Sequence, residues 1–510
     1  MKPMKNSIAF ESLKGNRYFC ARDKRQILLC HPVFFHLIDL HEKGTDLEDW
    51  IRNLPENSIE IGDAGPFSKK NVEYYYRKFL LLQDHGYFAP FDFNKQFNLK
   101  LEPQYIQNIL ANATHVVFEV TDSCNLRCEY CGYGKFYSDY EERRNINIDP
   151  EAAKRLLAFL EKGWNSHQNV SMGRRINIGF YGGEPLLNFP FINDMVDYIK
   201  KLEVPRGFFT FTMTTNALLL SKYMDFLYEN QFWLLISLDG SPKNNSYRVF
   251  PDGSESYEHV LRNVFALKEK YPEYFKEKVN FNTVFHNRSS LEEIYKHFKT
   301  NFDKIPMINE LTTVGIDPSK KEEFWATYAS THEDFLRIEN PRPMIDNMLR
   351  DLPMANSISS FIHYFSDGCY EDYKEVMDTK GESKRFPTGT CFPFHQKIFL
   401  TVNNKILPCE RIGHQHTLGA VTPEGVELDM DRITGVYNDH YGKIAELCRN
   451  CYMPDNCKQC MLQMELEDDV VFCDGFMTMD DRKNHFVRNF DYLEEYPKIS
   501  GKIVKEVIRE

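Results

Sequence analysis

One octapeptide constrains this chain more than any other stretch. Cys124-Asn125-Leu126-Arg127-Cys128-Glu129-Tyr130-Cys131 follows directly on the apolar run His115-Val116-Val117-Phe118-Glu119-Val120-Thr121. The run predicts a strand, so three thiols leave its end in one loop. Thiolates this close suit a soft metal centre. A [4Fe–4S] cluster normally takes four cysteines. Three would leave one iron with an open position, where a small molecule bearing an amine and a carboxylate could chelate and be reduced. A zinc knuckle or three free thiols is the competing reading of this stretch alone.

The other cysteines sharpen the choice. Of 13 in the 510 residues, two lie early (Cys20, Cys30), three form the octapeptide, and eight fall between Cys369 and Cys473. Met1 to Ser7 lacks the apolar segment of a signal peptide, and no run approaches a membrane span. Clustered cysteines in such a chain are expected to bind metal, and the expected compartment is a reducing cytoplasm. A net charge of −12 argues against a broad nucleic-acid surface. The length allows two to four domains.

From His115 the pattern alternates strand and helix. Strands are expected at 176–181, 209–214, 232–238, 279–284 and 310–314. Helices are expected at 149–164 with Pro150 in the first turn, 221–230 with Ser221 as N-cap, 257–271 and 291–298. Counted from Val116 this gives six strands of a parallel sheet wrapped by helices. Strand ends carry Gly182-Gly183-Glu184-Pro185, Thr215-Asn216 and Ser237-Leu238-Asp239-Gly240. Paired glycines at a strand end let backbone pass close to a ligand.

The C-x3-C-x2-C spacing with Tyr130 before its last cysteine, and the Gly-Gly-Glu-Pro string at a strand end, resemble the radical SAM superfamily. The resemblance implies an α/β fold, a partial (β/α)6 TIM barrel over residues 114–318 with reactive loops at the C-terminal ends of the strands. It implies a [4Fe–4S] cluster on Cys124, Cys128 and Cys131. S-adenosyl-L-methionine (SAM) would chelate the open iron and yield a 5′-deoxyadenosyl radical that takes hydrogen from substrate. Gly182, Gly183, Glu184 and Pro185 would meet the SAM amino group, and Ser237 would lie near its carboxylate. Tyr130, Asn216, Asp239 and Arg248 are assigned to the same cofactor site. For Asp239 a turn residue bonding backbone amides is the alternative.

Cys391 and Cys409 flank an expected hairpin, Ile398–Val402 and Ile406–Pro408 about Asn403-Asn404-Lys405. Cys448-x2-Cys451-x5-Cys457-x2-Cys460 and Cys473 follow. This order resembles the SPASM domain, which holds two auxiliary [4Fe–4S] clusters. Two features depart from it: Asn404 stands where glycine is usual, and Cys460 follows two residues rather than three. Asparagine tolerates the left-handed conformation that glycine supplies. By resemblance Cys448, Cys451, Cys457 and Cys473 would hold an outer cluster, and Cys391, Cys409 and Cys460 an inner one completed by Cys369 or by an open site. Zinc ribbons are the alternative for the whole set. Glu410 occupies the place where sulfatase-maturating relatives carry a catalytic aspartate. It is the candidate base, with a plain surface carboxylate as the other reading.

Residues 1–95 read as a separate unit: a strand at 26–30, helices at 32–41, 46–54 (opened by Thr45 with Glu48 as capping-box partner) and 70–85, then a short strand at 87–91. The pattern resembles the winged-helix precursor-recognition domains of peptide-maturing enzymes, where an extended leader adds to a sheet edge. A structural cap is the alternative. Residues 96–113 read as a linker, 319–385 as a helical connector, 386–480 as the cysteine-rich SPASM domain and 481–510 as a helical tail with Phe486, Phe490 and Leu493 at helical spacing.

The expected activity is modification of a ribosomally made precursor peptide, forming a thioether or carbon–carbon crosslink. The leader would bind the N-terminal domain, and a flavodoxin or ferredoxin-type protein would supply the electron. No nucleic acid or membrane partner is expected. Formylglycine formation by a sulfatase maturase is the enzyme alternative, and a non-catalytic iron–sulfur or zinc scaffold is the alternative from another class.

Overall fold

The computed structural model describes residues 5–170, 174–204, 207–341, 343–344, 353–365, 385–467, 470–498 and 501. Cys369, one possible cluster ligand, lies outside the described residues, as does most of the connector's second half.

The N-terminal unit is built on a three-stranded antiparallel sheet, β1 (Ser7–Glu11), β2 (Arg17–Ala21) and β3 (Gln26–Leu29), in that order. Helix Pro32–Glu42 packs on it, and helices Leu47–Arg52 and Lys69–Asp84 pack on that helix. A short pair, β4 (Ile59–Glu60) and β5 (Pro66–Phe67), lies between the last two. The core is its own cluster around Phe19, Leu37, Ile38 and Phe79. Three expectations are corrected. β1 and β2 were not foreseen, because their polar positions are covered by the distant C-terminal helix and so give no local alternation. The Leu47 helix is capped by Asp46, whose carboxylate accepts from the Asp49 amide, and not by Thr45. The stretch 87–91 pairs only through a Lys5–Pro90 bridge and is no strand, since Pro90 has no amide to donate.

The 96–113 stretch contains a helix, Pro103–Ala111, that packs on Pro150–Trp164. Then come six parallel strands in linear order: β6 (His115–Thr121), β7 (Arg174–Gly182), β8 (Gly207–Thr215), β9 (Trp233–Ser237), β10 (Val279–Phe285) and β11 (Met307–Glu310). Helices Pro150–Trp164, Phe189–Ile199, Leu220–Glu229, Tyr257–Lys270 and Leu291–Phe302 cover one face. β11 ends earlier than its expected span. The Leu220 helix starts one residue before Ser221 and has no side-chain cap.

The sheet does not stop at β6. The hairpin β12 (Ile398–Leu400) and β13 (Lys405–Leu407) continues it: β12 runs parallel to β6, pairing Ile398 with Val116 and Leu400 with Phe118. β14 (Gly419–Thr422) and β15 (Gly425–Leu428) complete ten strands. The hairpin turn places Asn404 at φ 60°, the left-handed region that its sequence position anticipates.

The tail folds as a helix, Met479–Glu495, opened by a Thr478/Asp481 capping box. Phe486 is fully buried and stacks on Phe10 at 5.1 Å, and Phe490 meets Tyr18 at 4.2 Å. The Glu494 carboxylate accepts from Ser12, Asn16 and Tyr18. The tail therefore holds the N-terminal sheet by β1 and leaves β3 as the other edge strand. Among the described residues no helix is long and apolar enough to cross a membrane.

Candidate functional site

At the C-terminal ends of β6 to β10 a cavity of about 220 Å³ is lined by Cys124, Cys128 and Cys131. Its walls also include Tyr130, Gly182, Gly183, Asn216, Ser237, Arg248 and Glu410. Glu184, Pro185 and Asp239 lie behind that wall, each nearly or fully buried.

The cysteine loop is fixed by its backbone. Arg127 donates to the Val249 carbonyl (2.8 Å) and Glu129 to that of Tyr247 (3.1 Å). On the other side Gly183 donates to the Thr121 carbonyl (2.8 Å) and Glu184 to that of Ser123 (2.9 Å). This contact explains the two glycines. A Cβ on Gly183 would stand 2.0 Å from the Ser123 oxygen, and one on Gly182, at φ 121°, 2.4 Å from that of Thr121. The close approach is to the chain's own cysteine loop.

The Glu184 carboxylate accepts from the Leu186 amide (3.1 Å), the Thr215 hydroxyl (2.8 Å) and the Asn216 amide (2.7 Å). Burial pushes its pKa up to about 7 against those three bonds. Glu184 thus ties β7 to the end of β8. Asn216 continues outward, donating through Nδ2 to Asn125 (2.7 Å) and, more distantly, to Cys124 Sγ (3.8 Å).

Asp239 is fully buried. Arg248 grips both its oxygens (2.9 and 3.0 Å), the Val284 amide donates at 2.9 Å, and the Tyr130 hydroxyl donates as well. It does more than bond turn amides: it fixes Tyr130 and Arg248, which do line the cavity.

Glu410 comes from the end of β13. Lys397 Nζ contacts both its carboxylate oxygens at 2.7 and 2.8 Å. Burial raises its proton affinity, but Lys397 outweighs this and holds the carboxyl below the usual range. Glu410 is only 15% exposed, which sets aside a plain surface carboxylate.

Sequence reasoning missed Tyr133, Tyr140, Arg143 and Tyr181, which complete the wall on the Glu410 side. The first three sit in the irregular 132–148 loop. That loop is held by distant partners: Ser138 donates to Gly315, His414 to Asp139 (3.1 Å), and Glu141 engages Asn403 and Lys405. No local periodicity signals such a position.

The remaining described cysteines fall into two neighbourhoods. Cys460 influences Cys391 and Cys409 electrostatically, while Cys451, Cys457 and Cys473 do so for Cys448. A local regularity joins several of them to the octapeptide. The amide two residues on points at the sulfur of Cys124, Cys409, Cys451, Cys457, Cys460 and Cys473. Amide donors stabilise thiolate charge, which protein-bound iron–sulfur ligands require. Among the described residues no three His, Cys, Asp or Glu side chains are gathered as ligands of one metal ion. The octapeptide thiols instead line a space.

A comparison with protein families matches the Radical SAM superfamily over residues 118–300. An uncharacterized protein of Methanocaldococcus jannaschii is 30% identical over 155 residues, 30% of this chain and 48% of that protein. The chain thus spans about half the length of that relative. The cysteine-type anaerobic sulfatase-maturating enzyme of Clostridium novyi is 23% identical over 389 residues, 73% of this chain and 94% of that enzyme. The radical SAM cyclopropyl synthase TigE of Paramaledivibacter caminithermalis is 30% identical over 157 residues, 29% and 32% of the two chains. With its three-cysteine loop and paired glycines at the ends of parallel strands, the segment 118–300 of this chain is a Radical SAM domain.

Proposed function

We propose that the chain modifies a ribosomally made precursor peptide, forming a thioether or carbon–carbon crosslink. Cys124, Cys128 and Cys131 would hold a [4Fe–4S] cluster with SAM beside it. Cys448, Cys451, Cys457 and Cys473 would hold one auxiliary cluster, and Cys391, Cys409 and Cys460 another. When bound, the first cluster and SAM supply a 5′-deoxyadenosyl radical that takes a hydrogen atom from substrate. The observation that carries the reading is that Glu410, from the auxiliary hairpin, shares one cavity with the three octapeptide cysteines. Held ionised by Lys397, it is placed to accept a proton from a substrate thiol or hydroxyl. Tyr130, Asn216, Ser237 and Arg248 would seat SAM. Glu184 and Asp239 would hold that seat in shape from behind, and Gly182, Gly183 and Pro185 would shape the turn beneath it. The β3 edge would take the leader as an added strand, and a flavodoxin or ferredoxin-type donor in the cytoplasm would supply the electron.

Formylglycine formation on a sulfatase is the second reading, favoured by the match along 94% of the Clostridium novyi enzyme. Anaerobic reconstitution, then SAM and dithionite, tests both. About 12 irons per chain and 5′-deoxyadenosine release are expected, both falling when Cys124, Cys128 and Cys131 become Ala. Mass spectrometry then separates the readings. A formylglycine product on a sulfatase-derived peptide would favour the second, and a crosslink in a peptide encoded beside the gene the first. Zinc in place of iron, or no SAM cleavage, would leave a metal-stabilised scaffold and defeat both.

A further inference from the structure

The cavity wall carries two guanidinium groups, and they differ. Arg248 is neutralised by Asp239 through two hydrogen bonds. Arg143 forms no ion pair among the described residues. One terminal nitrogen donates to Cys131 Sγ at 3.4 Å. The guanidinium carbon lies over the Tyr133 ring, 4.6 Å from its centre, and Nε is buried with no acceptor. Tyr133 in turn is pinned, donating its hydroxyl to the buried Glu119 carboxylate, which also accepts from the Val402 amide at 2.9 Å. The ring is a fixed platform, and it directs an uncompensated positive charge at one octapeptide sulfur.

Among the described residues Cys124 accepts hydrogen bonds from neutral donors, the Leu126 amide at 3.4 Å and Asn216 beyond it, and feels the Arg143 charge only through space. A charged donor to a cluster sulfur acts more strongly than an amide, and hydrogen bonds to sulfur and net charge both set an iron–sulfur potential. Resting on the function proposed above, we infer that Arg143 is a positioning residue that raises the reduction potential of the cluster on Cys124, Cys128 and Cys131. A cluster held there would gain one electron from an external donor and one unit of negative charge, and the Arg143 guanidinium beside Cys131 would favour that reduced form, with no proton moved and no bond made or broken.

The test is an EPR-monitored redox titration of the full-length reconstituted protein with dithionite, reading the part of the signal that changes when SAM is added. Iron is counted in parallel for wild type, Arg143→Gln and Arg143→Lys. Arg143→Gln is expected to lower the reduced-to-oxidised ratio at fixed potential about tenfold, 59 mV for one electron, with full iron. Arg143→Lys, which keeps the charge without the planar fork, is expected to stay closer to wild type. An unchanged potential in Arg143→Gln overturns the inference. So do equal shifts in both variants, which would exclude charge as the cause, and loss of one cluster's iron in Arg143→Gln, which would make Arg143 a structural prop. A wild type with no SAM-responsive signal defeats the proposed function itself, and this inference with it.

Discussion

Replacing Gly183 with Ala probes how the cysteine loop is held. The new Cβ would stand 2.0 Å from the Ser123 carbonyl oxygen and 2.6 Å from its carbon. Ordinary contact begins at 3.4 Å, so the two backbones must part by about 1.4 Å. Both partners are main chain, and neither can rotate away. The hydrogen bonds from Gly183 to Thr121 and from Glu184 to Ser123 are stretched together, at about 1 kcal/mol each. Ser123 is followed directly by Cys124, so the displacement passes into the cluster loop. A misplacement of about 1 Å at a reacting centre costs roughly a hundredfold in rate. The expected result is a loss of about that size in 5′-deoxyadenosine formation by the reconstituted protein, with an unchanged far-UV spectrum. Gly435→Ala, in an open helical position, serves as the control and is expected to be neutral or slightly stabilising. Wild-type turnover in Gly183→Ala would refute the claim that this backbone contact positions the cysteines.

Asp239→Asn leaves Arg248 buried without its counter-charge and should destabilise by about 3–5 kcal/mol, while Asp239→Leu with Arg248→Met recovers most of it; equal unfolding midpoints for single and double variants would count against the buried pair. Phe486→Ala should cost about 3–5 kcal/mol and speed proteolysis of the β1–β2 hairpin, because that ring joins the tail to Phe10; unchanged cleavage would mean the tail is not the clamp. Burial, with Arg482, Arg488 and Lys458 nearby, lowers the His485 pKa from 6.5 to about 4. The unfolded chain therefore binds the proton first, and the stability is full above about pH 6.5 and falls by about 2 kcal/mol by pH 5. A His485→Gln variant should melt with a flatter dependence between pH 7 and 5, and a parallel slope would remove His485 as the cause. At Asn404, Gly should be tolerated and Ala should cost about 1 kcal/mol, read from the melting temperature.

The parallel strands and the strand-end motifs were legible because each rests on local rules. Apolar runs such as residues 116–120 and 234–236 make buried strands, and Gly182 and Gly183 report a close approach wherever the partner is. Asn404 announced its left-handed turn by residue type alone. What the sequence concealed depends on distant partners. The 132–148 loop has no period, and Tyr133, Tyr140 and Arg143 reach the cavity only because His414, Asn403, Lys405 and Gly315 hold it there. β1 and β2 were hidden for a related reason: their polar positions are covered by a tail more than 450 residues away, as in the contact of Tyr18 with Glu494.

The joining of β12 to β6 has a consequence for modular exchange. The strand that delivers the octapeptide and the hairpin that delivers Cys409 and Glu410 are adjacent rungs of one hydrogen-bonded ladder. Their offset is counted in residues, and a slip by one would turn every side chain of the hairpin to the opposite face. A cysteine-rich module borrowed from a relative would therefore have to bring an edge of matching register. A longer linker could not correct a mismatch, because the ruler between the octapeptide and Glu410 is the sheet itself.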